Sequence, residues 1–338
     1  MKTWISGLLV TVMLLLTVVL AEAQQTKVPR IGYLGLSEPS SPLFDSFRQG
    51  LRELGYVEGQ NITIEPRFAY GSDWRLSALA AELIKSNVDI IVSQSSLELS
   101  AARGWTKTIP IVMAYLGDPV AAGIIKSLER PGGNITGISG LVAGLGGKWL
   151  ELLKETVPEA SRVGVLFTRN SEQTSPMMKE LEVAAKSLRI ELQPGEALYH
   201  GHGNVLLPPG ALPKRNVGAA FSAATGGRSD GFIVLPGFSF EEDPGYIADL
   251  ALQKRIPGIF WRADFAEAGG LMAYGANPAE QCRRTAYFVD KILKGAKPAE
   301  LPIELPKKFE LIVNLKAAKE MNLAIPVRVL AWADNVIK

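Results

Sequence analysis

Two stretches of the chain repeat one local plan, and that repeat constrains the fold more than any other feature. In the first, Ile31, Tyr33 and Leu34 form a short apolar run interspersed with Gly32 and Gly35, as expected of a parallel strand buried on both faces. A loop of small polar residues follows at 37–41. Pro42 suits the first helical position, where its missing N–H is not needed. Leu43, Phe47, Leu51 and Leu54 then recur every three to four residues and make one apolar helix face. Gly55 fits the C-terminal cap. About 130 residues later, Arg162-Val163-Gly164-Val165-Leu166 echoes Arg30-Ile31-Gly32-Tyr33-Leu34. A polar loop at 168–175, Pro176 and a helix carrying Met178, Leu181, Ala185 and Leu188 on one side complete the second copy. The repeat predicts two similar α/β units, and 338 residues is a length for about two domains.

The remaining periodicity fills in both units. In the first, residues 61–67 read as a strand with Ile62 and Ile64 on one face. Asp73 is placed to cap a helix whose stripe is Leu76, Leu79, Ala80, Leu83 and Ile84. Further apolar strands are expected at 88–92, 109–114 and 135–138. The second unit is expected to begin with a helix at 148–156. Its strands are expected at 162–167, 190–192, 231–235, 258–261, 271–274 and 309–313, with helices at 240–254, 278–295 and 315–321. Strands alternating with helices at this spacing indicate a fold of class α/β, with mainly parallel sheets covered on both faces, in two doubly wound lobes.

Residues 194–217 break the pattern. They are rich in proline and glycine, show no period, and contain both histidines of the chain, His200 and His202. His-x-His needs one or two more ligands to hold a metal, and only Glu196 is near. The segment reads as a surface loop that contributes neither core nor ligand contact.

The N-terminus reads as a targeting segment. Lys2 supplies the positive charge, residues 5–20 are mostly apolar, and Ala21-Glu22-Ala23 is a small-x-small cleavage site. Residues 1–23 are therefore expected to be a signal peptide, with the mature chain starting near Gln24 in an exported compartment. The apolar run is short for a membrane span, and no cysteine follows it for lipid attachment. Cys282, the single cysteine, excludes an internal disulfide and reads as a small buried hydrophobe. The 36 basic and 34 acidic side chains leave a net charge of +2. No basic run stands out, so nucleic acid is not implied as a partner.

Motifs for chemistry are missing or broken. Gly144-Leu145-Gly146-Gly147-Lys148 resembles a phosphate loop, but Val142 stands where its first glycine is required and Trp149 where a magnesium-binding hydroxyl is required. There is no G-x-S-x-G and no H-E-x-x-H. Glu241-Glu242-Asp243 at an expected helix start suits the helix dipole. What remains are polar loops at the carboxyl ends of expected strands, where open parallel sheets bind ligands. From the first unit these supply Ser37 and Glu38, Ser95 and Ser96, Tyr115 to Asp118, and Ser139. From the second they supply 168–174, Phe238 to Phe240, and 261–265 with Trp261, Arg262 and Asp264. Hydroxyls and helix N-termini there can hold a carboxylate. Asp118 or Asp264 can hold an ammonium, Arg262 an anion, and the aromatic rings a flat group. Each also has a simpler reading as a cap or a packing residue. For Asp118, before Pro119, that reading is a helix cap.

Several blocks in order resemble one family. They are Glu53-Leu54-Gly55-Tyr56-Val57-Glu58-Gly59-Gln60-Asn61, Gly117-Asp118-Pro119-Val120-Ala121-Ala122-Gly123 and Leu128-Glu129-Arg130-Pro131-Gly132-Gly133-Asn134-Ile135-Thr136-Gly137. Glu267-Ala268-Gly269-Gly270-Leu271-Met272-Ala273-Tyr274-Gly275 and Val289-Asp290-Lys291-Ile292-Leu293-Lys294-Gly295-Ala296-Lys297-Pro298-Ala299 continue the series. The chain resembles the tryptophan/tyrosine-type periplasmic substrate-binding proteins of ABC transporters, over nearly all of its mature length. The resemblance implies a type I periplasmic-binding fold, two lobes joined by a hinge. It implies a non-enzymatic protein without cofactor or metal that captures a small ligand, an amino acid or similar organic molecule, and delivers it to an ABC permease in the membrane. The same fold serves, alternatively, as an exported sensor subunit for a membrane receptor. The family's ligand loops correspond to Ser37-Glu38-Pro39, Ser95-Ser96, Gly117-Asp118-Pro119 and the loop after Trp261. The lobes are then expected to comprise 24–142 plus 276–300 and 143–275 plus 301–338. Crossings are expected near 139–147, near 274–277 and after 295, with the helix from Pro278 packed on the first lobe. Two features depart from the family: the segment 194–217 is longer than its usual link, and the ligand loops do not match an amino-acid-binding set.

Overall fold

The computed structural model describes residues 28–338 except 37, 116–117, 121–122, 141–143, 169–173, 198–216, 227–228, 238–239 and 241–243. The first sheet is built from β1 (Arg30–Gly35), β2 (Thr63–Phe68), β3 (Ile90–Ser93), β4 (Ile111–Tyr115) and β5 (Ile135–Ser139) in the order β2-β1-β3-β4-β5, all parallel. Between these strands run α1 (Pro42–Glu53), α2 (Leu76–Lys85) and α3 (Ser96–Trp105). The second sheet holds β6 (Arg162–Thr168), β7 (Glu191–Ala197), β8 (Gly231–Val234), β9 (Gly258–Phe260), β10 (Met272–Ala276), β11 (Phe309–Asn314) and β12 (Asn335–Ile337). Its order is β12-β11-β10-β9-β8-β6-β7, and only the β10–β11 pair is antiparallel among those described. The helices of this part are α4 (Leu145–Thr156), α5 (Thr174–Leu188), α6 (Val217–Thr225), α7 (Pro244–Lys254), α8 (Ala263–Glu267), α9 (Pro278–Leu293), α10 (Leu315–Glu320) and α11 (Val327–Trp332).

The sequence echo becomes a topological one. The order β7-β6-β8-β9-β10 repeats β2-β1-β3-β4-β5 strand for strand, which is the two-lobed α/β architecture that the repeat predicts. Helices on both faces leave the strands no solvent side, so β3 is buried at every position and β8 likewise.

Local chemistry explains α1. Ser41 accepts from the Leu43 N–H at 3.4 Å, Pro42 opens the helix, and Gly55 follows its end at φ +86°. Its buried face differs from the expected one. Phe44, Phe47, Gly50 and Leu51 are buried, whereas Leu54 is exposed. The face is turned because α9 lies against it: a Cβ at Gly50 would overlap the Arg283 carbonyl. The Tyr56 hydroxyl donates to Asp290 Oδ1 at 3.0 Å and Arg283 pairs with Glu53 at 3.1 Å along the same seam. Phe288 and Val289 of α9 complete the core made by Tyr33, Phe47 and Ile64.

The chain therefore leaves the first sheet after β5, returns from β10 to α9 at Asn277, and leaves again after residue 304. Leu301 packs in the first core, Ile303 donates its N–H to the Leu128 carbonyl at 2.7 Å, and Glu304 bridges to Ile138.

The segment 194–217 also needs correcting at both ends. Pro194 to Ala197 complete β7, paired in register with Val165 to Thr168, and Ala197 is buried. Pro194 is tolerated because β7 is the edge of its sheet. Val217 opens α6, whose Ala220, Phe221 and Ala224 are core residues. His200 and His202 lie outside the described residues.

Candidate ligand-binding cleft

The carboxyl ends of the parallel strands carry an unusual set of side chains. Ser93 ends β3, Gln94 follows it, Thr168 ends β6, and Trp261 follows β9. Ser93 Oγ, Gln94 Nε2, Thr168 Oγ1 and Trp261 Nε1 are all buried without a hydrogen-bond partner. A buried polar atom left unpaired costs about 1–3 kcal/mol, so native proteins hold few of them. Here two stand at the ligand end of each sheet. Gln94 lies beside the Tyr33 hydroxyl, whose ionisation burial pushes well above its usual range, so the phenol stays neutral.

The ends of the two sheets approach one another at a pocket. Gly140, just past β5, and Gln281, on α9, line it together with Met177, Trp261, Arg262 and Phe309. Its lining is mostly apolar. The lining includes Gly140 after β5, Ala276 at the end of β10, Pro278 at the start of α9 and Phe309 at the start of β11.

The residues singled out from sequence fall into different roles. Ser95 caps α3 in a capping box with Glu98. Glu98 is buried, and its carboxylate accepts from the Leu36 N–H at 2.6 Å, the Ser95 N–H at 3.0 Å and the Gln94 N–H. One acidic side chain thus ties the loop after β1 to the loop after β3. Ser96 is the half-buried first residue of α3. Glu38 is exposed and accepts from the Ser40 hydroxyl at 3.4 Å. Ser139 is fully buried at the end of β5, and its N–H donates to the Glu304 carbonyl at 2.9 Å.

Asp118 is half-buried and accepts from the Val120 N–H at 2.9 Å. This is a local turn rather than the expected helix cap, since the described residues after Pro119 form turns and bends instead of a helix. Asp264 is gripped by Arg262 through two hydrogen bonds of 2.7 and 2.6 Å. The two form an ion pair with one another. The Arg262 guanidinium also sits 5.9 Å from the Trp261 ring centroid and 5.7 Å from that of Phe265. Ser37 and Phe238 lie outside the described residues.

Trp261 is 5 % exposed and belongs to the second core. Phe265 leans on it at 4.5 Å between centroids. Sequence reasoning missed Ser93, Gln94, Gln281 and Phe309. Ser93 carried a signal: it is the one hydroxyl closing the apolar run Ile90-Ile91-Val92. Gln281 and Phe309 carried none, because only the crossings bring them to the cleft.

Comparison with known proteins agrees with this architecture. A tyrosine-binding protein of Clostridioides difficile is 24 % identical over 307 residues, spanning 89 % of this chain and 84 % of its own. The crystal structure of a conserved domain protein from Vibrio cholerae is 28 % identical, with a TM-score of 0.77 over 92 % of this chain and 100 % of its own. A Streptococcus pneumoniae ABC domain in complex with L-Trp shares the fold at 22 % identity, with a TM-score of 0.78 over 91 % of this chain and 99 % of its own. The family model described as ABC transporter substrate binding protein matches residues 38–200 and 209–337. The chain belongs to the ABC transporter substrate binding protein family.

Proposed function

We propose that this chain captures a small organic ligand, an amino acid or a close relative of one, between its two lobes and hands it to an ABC permease. The observation that carries this reading is the set of unpaired buried polar atoms at the strand ends of both sheets: Ser93 and Gln94 on one side, Thr168 and Trp261 on the other. Such atoms are costly in the free protein and become satisfied when a ligand occupies the cleft. The names of the tyrosine-binding relative and of the L-Trp complex support the amino-acid class. The protein performs no chemistry on its ligand and works by closing its lobes about the crossings. We place these at 140–144, at Asn277 and at 305–308, so that the first lobe runs through residue 140 and takes back 278–304.

Export belongs to the same reading. Residues 1–23 act as a cleaved signal peptide that delivers the mature chain to the periplasm, and among the described residues no helix is long and apolar enough to cross a membrane. Native mass spectrometry of protein purified from its own host tests capture directly. A one-to-one small-molecule adduct is expected on the parent, and it should be depleted in Thr168→Val, which removes only the hydroxyl. A parent protein that carries no adduct, and binds no amino acid by calorimetry, sinks the reading.

A further inference from the structure

One face of the first sheet's helical layer displays aromatic rings to solvent. Tyr70, Trp74 and Trp105 are 58 %, 70 % and 55 % exposed. Single exposed apolar side chains are common, but these three are linked. Tyr70 follows β2, and the Arg75 guanidinium sits 5.8 Å from its ring centroid. Trp74 lies beside Arg75 in the single 3-10 turn Asp73–Arg75 that leads into α2. Ser77, three residues beyond Trp74 and so on the same helical face, accepts from the Trp105 indole N–H at 2.9 Å. Trp105 is the last residue of α3. Between residues 60 and 110 no other large apolar side chain is exposed. Cations surround the rings. Arg103 and Lys107 stand two residues to either side of Trp105, and Lys107 Nζ donates to the Arg103 carbonyl at 2.8 Å. With Arg75 they make three cations in residues 69–77 and 103–108, against one acid, Asp73.

We propose that this face is a membrane-docking surface, on which the first lobe rests reversibly against a bilayer carrying anionic headgroups. Trp and Tyr join an apolar body to a polar tip and settle at the level of lipid headgroups. Arg and Lys lay apolar stems along the same boundary and keep their charge in the phosphate layer. Protein interfaces are rich in methionine and poor in lysine. Here no methionine falls between residues 60 and 110, and Lys107 stands beside Trp105. The excess of cations matches an anionic lipid surface. Docking also leaves the cleft lining free. Tyr70 and Trp74 follow β2, at one edge of the first sheet, whereas Gly140 of the pocket follows β5, at the opposite edge. The surface holds the protein near a membrane without a covalent lipid anchor, whatever ligand the cleft takes.

The test is flotation of the mature protein with two kinds of vesicle: phosphatidylcholine alone, and phosphatidylcholine with about one-third phosphatidylglycerol. The mature protein is used because the apolar segment at 5–20 would itself enter a bilayer. Partitioning onto the anionic vesicles should be about tenfold stronger or more, and should weaken as salt is raised. The double variant Trp74→Ala/Trp105→Ala should lose most of that binding and keep its thermal midpoint, because both side chains are exposed. Arg103→Gln/Lys107→Gln should remove most of the preference for anionic vesicles. No binding to either vesicle, equal binding to both, or full binding by the folded double tryptophan variant overturns the proposal. Self-association of the parent that disappears in that variant, with vesicles left unbound, overturns it in favour of a second copy. Retention on peptidoglycan in place of vesicles overturns it in favour of a glycan. Ligand capture is read separately by native mass spectrometry, so the solute-binding reading stands or falls independently.

Discussion

The carbonyl oxygen of Trp261 occupies the place where a Cβ at Gly275 would stand. Strand β10 can therefore run beside the end of β9 only because position 275 has no side chain. Gly275→Ala should push the two strand ends apart and displace Trp261 from the cleft wall. A loss of about 1–3 kcal/mol is expected from the overpacking, read as a lowered thermal midpoint, together with weakened ligand binding. A variant as stable as the parent would mean that the strand ends have room to move.

Glu98 is the tie between two cleft loops. Glu98→Ala leaves the Leu36, Gln94 and Ser95 N–H groups without their acceptor. Hydrogen bonds to a charged group contribute about 1.5–3 kcal/mol each at most, and water entering the gap recovers part of that. Denaturant unfolding should show a loss of roughly 2–4 kcal/mol, and amide exchange should quicken at residues 36 and 94–95. Unchanged exchange there would show that the loops are held by something else.

Asp118 separates a turn from a ligand contact. Asp118→Asn retains an oxygen for the Val120 N–H and removes the charge. If the carboxylate holds a ligand ammonium, amino-acid affinity should drop about tenfold or more, or 1.4 kcal/mol, with the thermal midpoint kept. Asp118→Ala should in addition lower stability by about 0.5–2 kcal/mol, as losses of comparable side-chain caps do. Full affinity in both variants would remove Asp118 from the cleft.

Glu304 predicts a pH dependence. Its carboxyl lies below the usual range, chiefly because it accepts from Arg284, at 2.9 and 2.7 Å. A depressed folded-state pKa gives stability that is complete above the unfolded value, near 4.5, and is lost as pH falls through the folded one. The pair is partly exposed, so its contribution is modest, about 1 kcal/mol or less. Thermal midpoints measured from pH 6 down to about 3 should fall more steeply for the parent than for Glu304→Gln. Parallel curves would show that the pair contributes nothing to the third crossing.

The segment 194–217 can be divided by deletion. Replacing 198–216 with a short flexible linker should leave ligand affinity unchanged. Removing 194–197 as well should destabilise the protein, because Pro194 to Ala197 pair with β6 and Ala197 is core. Equal stability of the two deletions would contradict that strand.

The framework was legible in sequence where periodicity was local. The strands at 31–34 and 163–166 and the helices opening at Pro42 and Pro278 all form as their patterns require. The misreadings have physical causes. Residues 194–197 look like loop because a proline and a glycine interrupt the strand period, yet an edge strand accepts both. The α1 face was misread at Leu54 because its partner α9 arrives more than 200 residues later. Helix α3 had its capping box in plain view, Ser95 with Glu98, but a weak apolar period. In the cleft, strand-end position points to Trp261, which lines the pocket. It could not separate Ser95, a cap, from Ser93, an unpaired hydroxyl two residues away.

The seam between α1 and α9 also bears on the order in which the molecule can fold. Gly50 and Tyr56 meet partners that lie some 230 residues further along the chain, at Arg283 and Asp290. The strands β6 to β10, in contrast, are supplied by one uninterrupted stretch. Contacts of long sequence separation form late, because their closure entropy comes due before any of their burial energy. A chain emerging in order thus keeps its leading lobe open along one face until α9, more than 200 residues after α1, has been made.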